Sequence, residues 1–294
     1  MAIKQRDRVY RWITECGHFR ISLVDASRLA NDAIARHNLS GSSAAFLSEA
    51  LGVTLLAASL LKSDQLVSFK ISHPEQGELL ATEASRSGEV RGYLQDEKLL
   101  ALLQDNNGEL GRVLIGSTMQ LSWWHDRKPR HSYVPIEHGS LAADLNGYFL
   151  QSEQIPCFVL QTTQMATESR VELSWAALIQ ALPDSPADAL QTMAQTLRAL
   201  DLADHITAML STKISDPQEF NHKLLPGFDL RELDRYPVDF YCRCSKESFG
   251  RSLRTLPDHE LLDMAEEGTQ EIVCSYCQDH WYYTPDDLRA MVKE

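Results

Sequence analysis

The sequence has little of what nucleic-acid-binding and membrane proteins need. Lys and Arg number 28 against 41 Asp and Glu, so the 294-residue chain has a formal net charge of −13 at pH 7. Nucleic-acid affinity depends on clustered basic residues, which makes a broad nucleic-acid surface unexpected. The longest uncharged apolar stretch, residues 50–61, is too short to cross a bilayer. We therefore expect neither nucleic acid nor a membrane among the partners of this protein.

Signals for secretion and for common catalytic sites are also missing from the sequence. Residues 1–8 are followed by no apolar segment, which predicts no secretory signal and a cytoplasmic protein. The sequence contains no Gly-rich phosphate loop, no nucleophile elbow and no His-Glu-x-x-His motif. His73, His138 and Glu153 could be assembled into a catalytic site, but scattered residues of these types are more often surface or hydrogen-bonding groups. No catalytic residue is predicted.

The composition is that of a folded protein, and its patterns predict an α+β domain. Hydrophobic residues make up 44% of the chain and charged residues 23%, both typical of globular proteins. Residues 67–71 alternate as in a half-buried strand, and residues 80–94 predict a hairpin with a glycine turn. Residues 42–62 are apolar almost all round, as in a buried helix, and residues 140–154 predict another helix. Because these elements follow no βαβ rhythm, we expect a mixed sheet-and-helix domain over residues 1–182.

The pattern changes near Pro183 to an amphipathic helix followed by broken segments. Four apolar side chains recur there at helical spacing and would form one face. They are Leu190, Met193, Leu197 and Leu200. Prolines and a glycine then interrupt residues 211–239. We expect a helical linker over residues 183–239.

Four of the six cysteines crowd the last quarter of the chain. Cys242 and Cys244 form a Cys-x-Cys pair, and Cys274 and Cys277 form a Cys-x-x-Cys pair after 29 intervening residues. Two close pairs of thiolates suit the tetrahedral coordination of zinc, with Zn–S distances of about 2.3 Å. All four positions would then be filled by protein, which leaves no place for a catalytic water. The spacing predicts a small module at residues 240–294 that binds one Zn²⁺ per chain.

The cysteine spacing by itself leaves several functions open. One is a structural zinc ribbon, and another is an enzyme whose zinc module only stabilises the fold. A nucleic-acid-binding ribbon is disfavoured, because residues 242–294 contain six basic and eleven acidic side chains. The last is a redox switch. A Cys-x-Cys disulfide closes a tight ring and is labile, and Cys-x-x-Cys is a common redox spacing, so each pair could close on itself after metal loss.

Three segments make the sequence resemble the redox-regulated chaperones of the heat shock protein 33 family. Residues 240–247 (FYCRCSKE) are similar to the entry of that family's zinc module. Residues 85–93 (SRSGEVRGY) are similar to its glycine-turn hairpin, and residues 147–156 (GYFLQSEQIP) to its tyrosine and Ser-Glu-Gln segment. The three segments lie far apart along the chain, so the resemblance extends over essentially all of it.

The resemblance implies an ATP-independent holdase that is inactive when reduced and zinc-bound, and active after oxidation. Cys242, Cys244, Cys274 and Cys277 inherit the zinc-ligand role, and the implied disulfides are Cys242–Cys244 and Cys274–Cys277. Oxidation would release zinc and unfold the C-terminal region. We expect the apolar face of the linker helix then to bind unfolding client proteins, with a homodimer forming in the oxidised state. Cys16 and Cys157 match no part of the motif, and His259 and His280 are not needed as ligands.

Overall fold

The chain folds into two compact units, one ending at Phe240 and the other beginning at Tyr241. The computed structural model describes residues 7–62, 65–125, 128–183, 185–212 and 217–292. Most of the N-terminal segment considered above for a secretory signal lies outside these residues. The expected linker belongs to the same compact unit as the residues that precede it.

The first unit alternates strands and helices in an irregular order, which confirms the mixed α+β architecture. Its elements are β1 (Arg8–Thr14), β2 (Phe19–Asp25), α1 (Ser27–His37), α2 (Gly41–Ala58), β3 (Leu66–His73), β4 (Gly77–Ser85), β5 (Glu89–Leu94), α3 (Asp96–Asp105), α4 (Leu110–Leu114), β6 (Thr118–His125), β7 (Lys128–Pro135), α5 (Leu141–Ser152), β8 (Cys157–Thr167), β9 (Arg170–Ala181), α6 (Ala187–Leu200), α7 (Leu202–Ser211), α8 (Pro217–Leu224), β10 (Leu230–Pro237) and β11 (Asp239–Phe240).

Two sheets organise this unit. One has five strands in the order β10-β1-β2-β9-β8, and the other has six in the order β11-β5-β4-β3-β6-β7. The hairpin expected at residues 80–94 is confirmed as β4 and β5, which pair antiparallel from Leu80↔Leu94 to Ala84↔Val90. Among the strands that the structure describes, only β11 runs parallel to its neighbour, β5.

Helix α2 contacts strands of both sheets, which explains why it is apolar on every side. It packs against β2, β8 and β9 of the first sheet and β3, β4 and β5 of the second. Two of its buried hydroxyls are satisfied within the helix, since Ser48 and Thr54 donate to the carbonyls four residues earlier. By length and hydropathy α2 could span a membrane, but 78% of that segment is buried in the protein. Burial between two sheets imposes the same composition as burial in lipid.

A second core lies on the other face of the five-stranded sheet. Strand β9 is buried on both faces: Ala176 and Leu178 join the core around α2, whereas Trp175 and Ile179 join the second core. Helices α6, α7 and α8 supply the rest of this second core, and we call these three helices the cover (residues 187–224). The cover therefore shields an apolar sheet face from water.

The expected linker over residues 183–239 is helical only in part. Its last third contains β10, which pairs antiparallel with β1 from Arg8↔Pro237 to Thr14↔Leu230. The inward positions of β10 include Glu232 and Asp234, so its sequence lacks the apolar alternation of a typical strand. Asp234 is tolerated there because arginines from other elements neutralise it. The interpretation of residues 211–239 as a broken helical segment was wrong for this strand.

The second unit is small and has its own core. It comprises α9 (Lys246–Leu253), α10 (Asp258–Glu267), β12 (Gln270–Val273), β13 (His280–Tyr283) and α11 (Pro285–Arg289). Strands β12 and β13 form an antiparallel hairpin. Among the described residues its buried apolar side chains are Leu253, Leu261, Ala265, Tyr283 and Leu288.

Candidate metal centre

The four clustered cysteines come from two irregular segments of the second unit. Cys242 and Cys244 lie in the loop that leads into α9, and Cys274 and Cys277 lie in the turn between β12 and β13. The turn is closed by backbone hydrogen bonds: Cys274 N donates to Asp279 O at 2.9 Å, and Gln278 N donates to Cys274 O at 2.8 Å. Gln278 has a φ of 61°, which reverses the chain after Cys277. The turn therefore presents two thiols 3 residues apart on one side.

The fold brings all four sulfurs together. They lie within 4.8 Å of one another, and among the described residues no other group of three or more such side chains meets this criterion. Cys244 Sγ and Cys277 Sγ are 3.4 Å apart, and Cys242 Sγ and Cys274 Sγ are 3.8 Å apart. Four ligands at about 2.3 Å from a tetrahedral zinc ion require sulfur–sulfur separations of about 3.8 Å. The donor set and its spacing fit one zinc ion.

The electrostatics of the cluster also favour a cation. Burial raises the pKa of the Cys244 thiol to about 11, and the neighbouring Cys242 thiol contributes to this rise. Burial and the adjacent cysteines raise the pKa of Cys277 as well. Four thiolates held this close would repel one another, so their ionisation requires a positive ion at the centre. The four thiols could therefore hold a metal ion, and thiolate donors of this kind suit zinc.

Side chains next to the cysteines fix the loop on the rest of the unit. Ser245 caps α9, because its hydroxyl accepts a hydrogen bond from Ser248 N at 3.1 Å. Lys246 Nζ donates to Asp287 Oδ2 at 2.8 Å and lies 5.2 Å from the centroid of the Tyr283 ring. The Tyr283 hydroxyl donates to Lys246 O. These contacts anchor the chain directly after Cys244.

The remaining cysteines and the C-terminal histidines lie apart from the cluster. Cys16 is exposed, and its thiol donates to Thr14 Oγ1 at 3.3 Å. Cys157 is buried, which raises its pKa to about 12 and makes it a poor nucleophile. His280 Nδ1 lies 2.6 Å from Glu271 Oε1, so this imidazole is engaged by a carboxylate.

The four side chains expected to contact clients are covered in this structure. Met193 and Leu197 are buried in the second core, and Leu190 and Leu200 are partly buried against it. Sequence periodicity identified this helix face but not the sheet surface beneath it. That surface includes Trp12, Phe19, Ile21 and Trp175. These residues come from three strands, so no local pattern in the sequence indicates that they share a face.

The glutamate of the Ser-Glu-Gln segment belongs to a hydrogen-bond network that sequence analysis did not anticipate. The buried Tyr148 hydroxyl donates to Glu153 Oε1 at 2.7 Å and accepts from Trp123 Nε1 at 3.0 Å. Arg130 of β7 also donates to Glu153. The segment thus fastens the C-terminal end of α5 to the β6–β7 hairpin, and Glu153 is structural in this fold.

Comparisons with known proteins agree with the fold. The family model described as Hsp33 protein matches residues 7–284. A 33 kDa chaperonin of Lacticaseibacillus paracasei is 30% identical over 94% of both chains, and one of Levilactobacillus brevis is 27% identical over 98% of both. The crystal structure of a 33 kDa chaperonin (heat shock protein 33 homologue) from Thermotoga maritima matches with a TM-score of 0.81 over 98% of both chains, at 20% identity. The chain therefore belongs to the Hsp33 family of chaperones.

Proposed function

We propose that this protein is a redox-gated, ATP-independent holdase whose four C-terminal cysteines control access to an apolar client surface. The observation behind the proposal is the coexistence of a four-thiol cluster with a helical cover over an apolar sheet face. In the reduced state Cys242, Cys244, Cys274 and Cys277 would hold one zinc ion. Zinc, when bound, would keep the four sulfurs as thiolates and cross-link the loop before α9 to the β12–β13 turn.

Oxidation of the cysteines would dismantle this cross-link. Each pair of thiols gives up two electrons and two protons and forms one disulfide, while a peroxide oxidant is reduced to two molecules of water. Disulfide sulfurs no longer serve as thiolate donors, so the donor set is lost. The proposed products are Cys242–Cys244 and Cys274–Cys277.

The pairing depends on how the unit opens during oxidation. In the folded unit Cys242 lies near Cys274, and Cys244 near Cys277. Once the unit loosens, a thiol one or three residues away stays close, whereas closing a loop over the 29 intervening residues costs more chain entropy. Local pairs therefore form faster, and peptide mapping that showed Cys242–Cys277 or Cys242–Cys274 as the main product would contradict this scheme.

Loss of the cross-link would unfold the second unit and then loosen the cover. Five buried apolar side chains are a small core for a unit of this size. The helices of the cover depend on tertiary packing, since isolated helices of this length are marginal in water. Their release would expose Leu190, Met193, Leu197 and Leu200 together with the sheet face beneath them. Both surfaces would bind apolar segments of unfolding proteins.

The proposal assigns the protein to a reducing compartment such as the cytoplasm, where free thiols persist. The partners are unfolding proteins, with no enzyme activity and no nucleic-acid or membrane partner. The exposed apolar surfaces would also bring two oxidised chains together as a homodimer.

One comparison tests the proposal. Zinc content and suppression of the aggregation of a thermally unfolding enzyme are measured before and after peroxide treatment under mildly destabilising conditions. We expect about one zinc per chain and little suppression before treatment, then loss of zinc and strong suppression after it. A Cys16→Ser/Cys157→Ser variant, which keeps only the cluster, should switch like the wild type. Equal suppression by the reduced and oxidised wild type would reject redox gating.

A further inference from the structure

The β4–β5 turn, residues 86–88, binds the strand that leads to the metal centre. Arg86 donates to Asp234 Oδ2 of β10 at 2.7 Å, and its guanidinium lies 4.5 Å from the ring centroid of Tyr236. Arg11 of β1 donates to the same carboxylate oxygen at 2.9 Å. Asp234 is therefore held from both sheets at once, by its neighbour β1 and by the turn of the six-stranded sheet.

Gly88 of this turn is fitted against the end of β10. Its φ is 91°, and a Cβ built on it would lie 2.2 Å from Pro237 O. Gly88 O accepts a hydrogen bond from Asp239 N at 3.1 Å, directly before β11 pairs with β5. No side chain other than hydrogen can occupy this position while β10 stays in place. The glycine is thus required for a contact as well as for a turn.

The attachment of β10 depends in part on such polar contacts, because two of its four inward positions are the acidic Glu232 and Asp234. The other two, Leu230 and Tyr236, are only partly buried against the cores, and the alternate residues are exposed. The strand occupies the edge of the five-stranded sheet, and within the described part of the chain its one strand neighbour is β1. An edge strand with charged inward residues is held by its ladder and by specific anchors more than by a core.

The position of β10 in the chain gives these anchors a regulatory consequence. The strand follows the cover, whose last helix ends at Leu224, and precedes Cys242, which is two residues after Phe240. The other end of the cover is fixed where the Ser185 hydroxyl donates to His18 O at 2.6 Å. Any release of the chain that begins at the cysteines reaches β11 and β10 before it reaches the cover.

We propose that Arg86 and Gly88 form a latch that holds β10 in its sheet and thereby keeps the cover closed until the metal centre opens. The inference rests on the proposed function, because it describes how loss of the cysteine cross-link is transmitted to the client surface. Weakening the latch should open the cover while the metal centre is still intact. Both residues are positioning residues: they act on the client surface through β10.

The first test compares Gly88→Ala with Gly77→Ala in the reduced, zinc-loaded full-length protein. Gly77 begins β4 and also has a positive φ, 68°, but a Cβ there meets nothing within 4 Å. Both variants place an alanine at a positive φ, and only the Gly88→Ala side chain would collide with Pro237 O. We expect the amides of β10 to exchange about tenfold faster or more in Gly88→Ala than in Gly77→Ala, with equal zinc content. Client aggregation should be suppressed by Gly88→Ala without oxidant.

The second test uses a milder change in case Gly88→Ala does not fold. Arg86→Gln removes the charge that holds Asp234, and Arg91→Gln is its control, since Arg91 pairs with Glu83 inside the same hairpin at 3.1 Å. We expect Arg86→Gln to reach half-maximal activation at about a tenfold lower peroxide dose than Arg91→Gln, the effect of one charge-assisted hydrogen bond.

The outcomes separate the latch from the proposed function. If the oxidised wild type fails to suppress aggregation, the redox-gated function is rejected. If the wild type switches but β10 keeps its protection in both Gly88→Ala and Arg86→Gln, the latch is rejected and the function stands. Equal effects of Gly88→Ala and Gly77→Ala would also overturn the latch, because strain in the hairpin would then explain them.

Discussion

The two units of this chain bury apolar surface on very different scales. The first unit wraps α2 between two sheets and adds a second core under the cover. In the second, five buried apolar side chains pack beside four sulfurs. A core as small as that leaves a marginal domain, whereas structural zinc contributes about 10–16 kcal/mol of apparent binding free energy in small modules. A typical domain is stable by only about 5–15 kcal/mol in total.

This difference in core size predicts that the two units respond differently to an oxidant. The core around α2 can stay folded through an oxidative event because its stability comes from packing, which oxidants do not alter. The second unit contains the four-cysteine cluster, and cysteine sulfurs are chemically altered by oxidants. Under the proposed function, a module that depends on zinc would unfold on oxidation while the core around α2 stays folded.

Removing the metal ligands should show the largest contrast. Cys274→Ser/Cys277→Ser leaves two sulfur donors, so we expect loss of the bound zinc and of amide protection in the cover and from Tyr241 onward, while β3 and β9 keep theirs. The magnitude is the zinc contribution of about 10–16 kcal/mol. Elemental analysis and hydrogen exchange measure both effects, with Cys16→Ser as control. Full zinc content in the double variant would remove these cysteines from the ligand set.

Truncating one buried leucine in each unit tests whether the stabilities of the two units are independent. Leu51 in α2 and Leu288 in α11 are both fully buried. Each substitution to Ala should cost about 2–5 kcal/mol, because a cavity adds to the lost transfer energy. Leu51→Ala should lower the stability of the first unit without affecting zinc, and Leu288→Ala should weaken zinc binding. Competition with a chelator measures the second effect, and equal zinc affinity in both variants would contradict the expected independence.

The free energies of unfolding of the two units should change with pH in opposite directions. Burial raises the pKa of Glu49, whose Oε2 accepts from Gln161 Nε2 at 2.9 Å, to about 7. The first unit should therefore lose about 3 kcal/mol of stability as pH rises from about 4.5 to 7, and Glu49→Gln should remove this loss. Buried Asp7, whose pKa is also raised to about 7, adds to the loss in the same direction.

In the second unit a hydrogen bond from Lys246 lowers the pKa of Asp287. That carboxylate stabilises the fold above its unfolded pKa and stops doing so as pH falls, and protonation of the ligand thiolates acts in the same direction. The fluorescence of Trp281 reports on the second unit. In a Trp281→Phe variant the four remaining tryptophans lie in the first unit, so their fluorescence during urea unfolding measures the stability of that unit alone. A first unit that gained stability between pH 5 and 7 would contradict the expected sign.

The smallest expected effect concerns the network around Tyr148. Tyr148→Phe removes a hydroxyl that serves both Trp123 and Glu153, which should cost the first unit about 1–2 kcal/mol. Tyr133→Phe is the control, because Tyr133 on β7 is 67% exposed. Thermal unfolding compares the two variants. A loss no greater than that of Tyr133→Phe would mean that water replaces the hydroxyl.

Local patterns predicted the elements whose burial is uniform or strictly alternating. Residues 42–62 were expected to form a buried helix and form α2 over Gly41–Ala58; residues 67–71 lie within β3. Strand β10 was not predicted because two of its inward positions are acidic. The arginines that pair with Asp234, Arg11 and Arg86, are more than a hundred residues away in sequence. Sequence patterns report which side chains avoid water, and they do not report which charges are neutralised at long range.

In the candidate metal centre, too, local motifs could be predicted from the sequence and long-range contacts could not. The four cysteines could be identified because each pair is local and sulfur donors are chemically distinctive. The contacts of Lys246 with Tyr283 and Asp287 could not, because they join residues about forty positions apart with no shared motif. The role of Cys242, Cys244, Cys274 and Cys277 as ligands and the pairing of their disulfides stay predictions until zinc and peptide mapping test them.

The burial of α2 between two sheets has a consequence during synthesis on the ribosome. The helix ends at Ala58, whereas β9, which packs against it, begins at Arg170. At a translation rate of about 5–20 residues per second, about 5–20 s pass between the synthesis of α2 and the synthesis of β9. For that interval the nascent chain displays a helix as apolar as a membrane span. A member of a chaperone family thus exposes, during its own synthesis, an apolar segment that must be protected from aggregation.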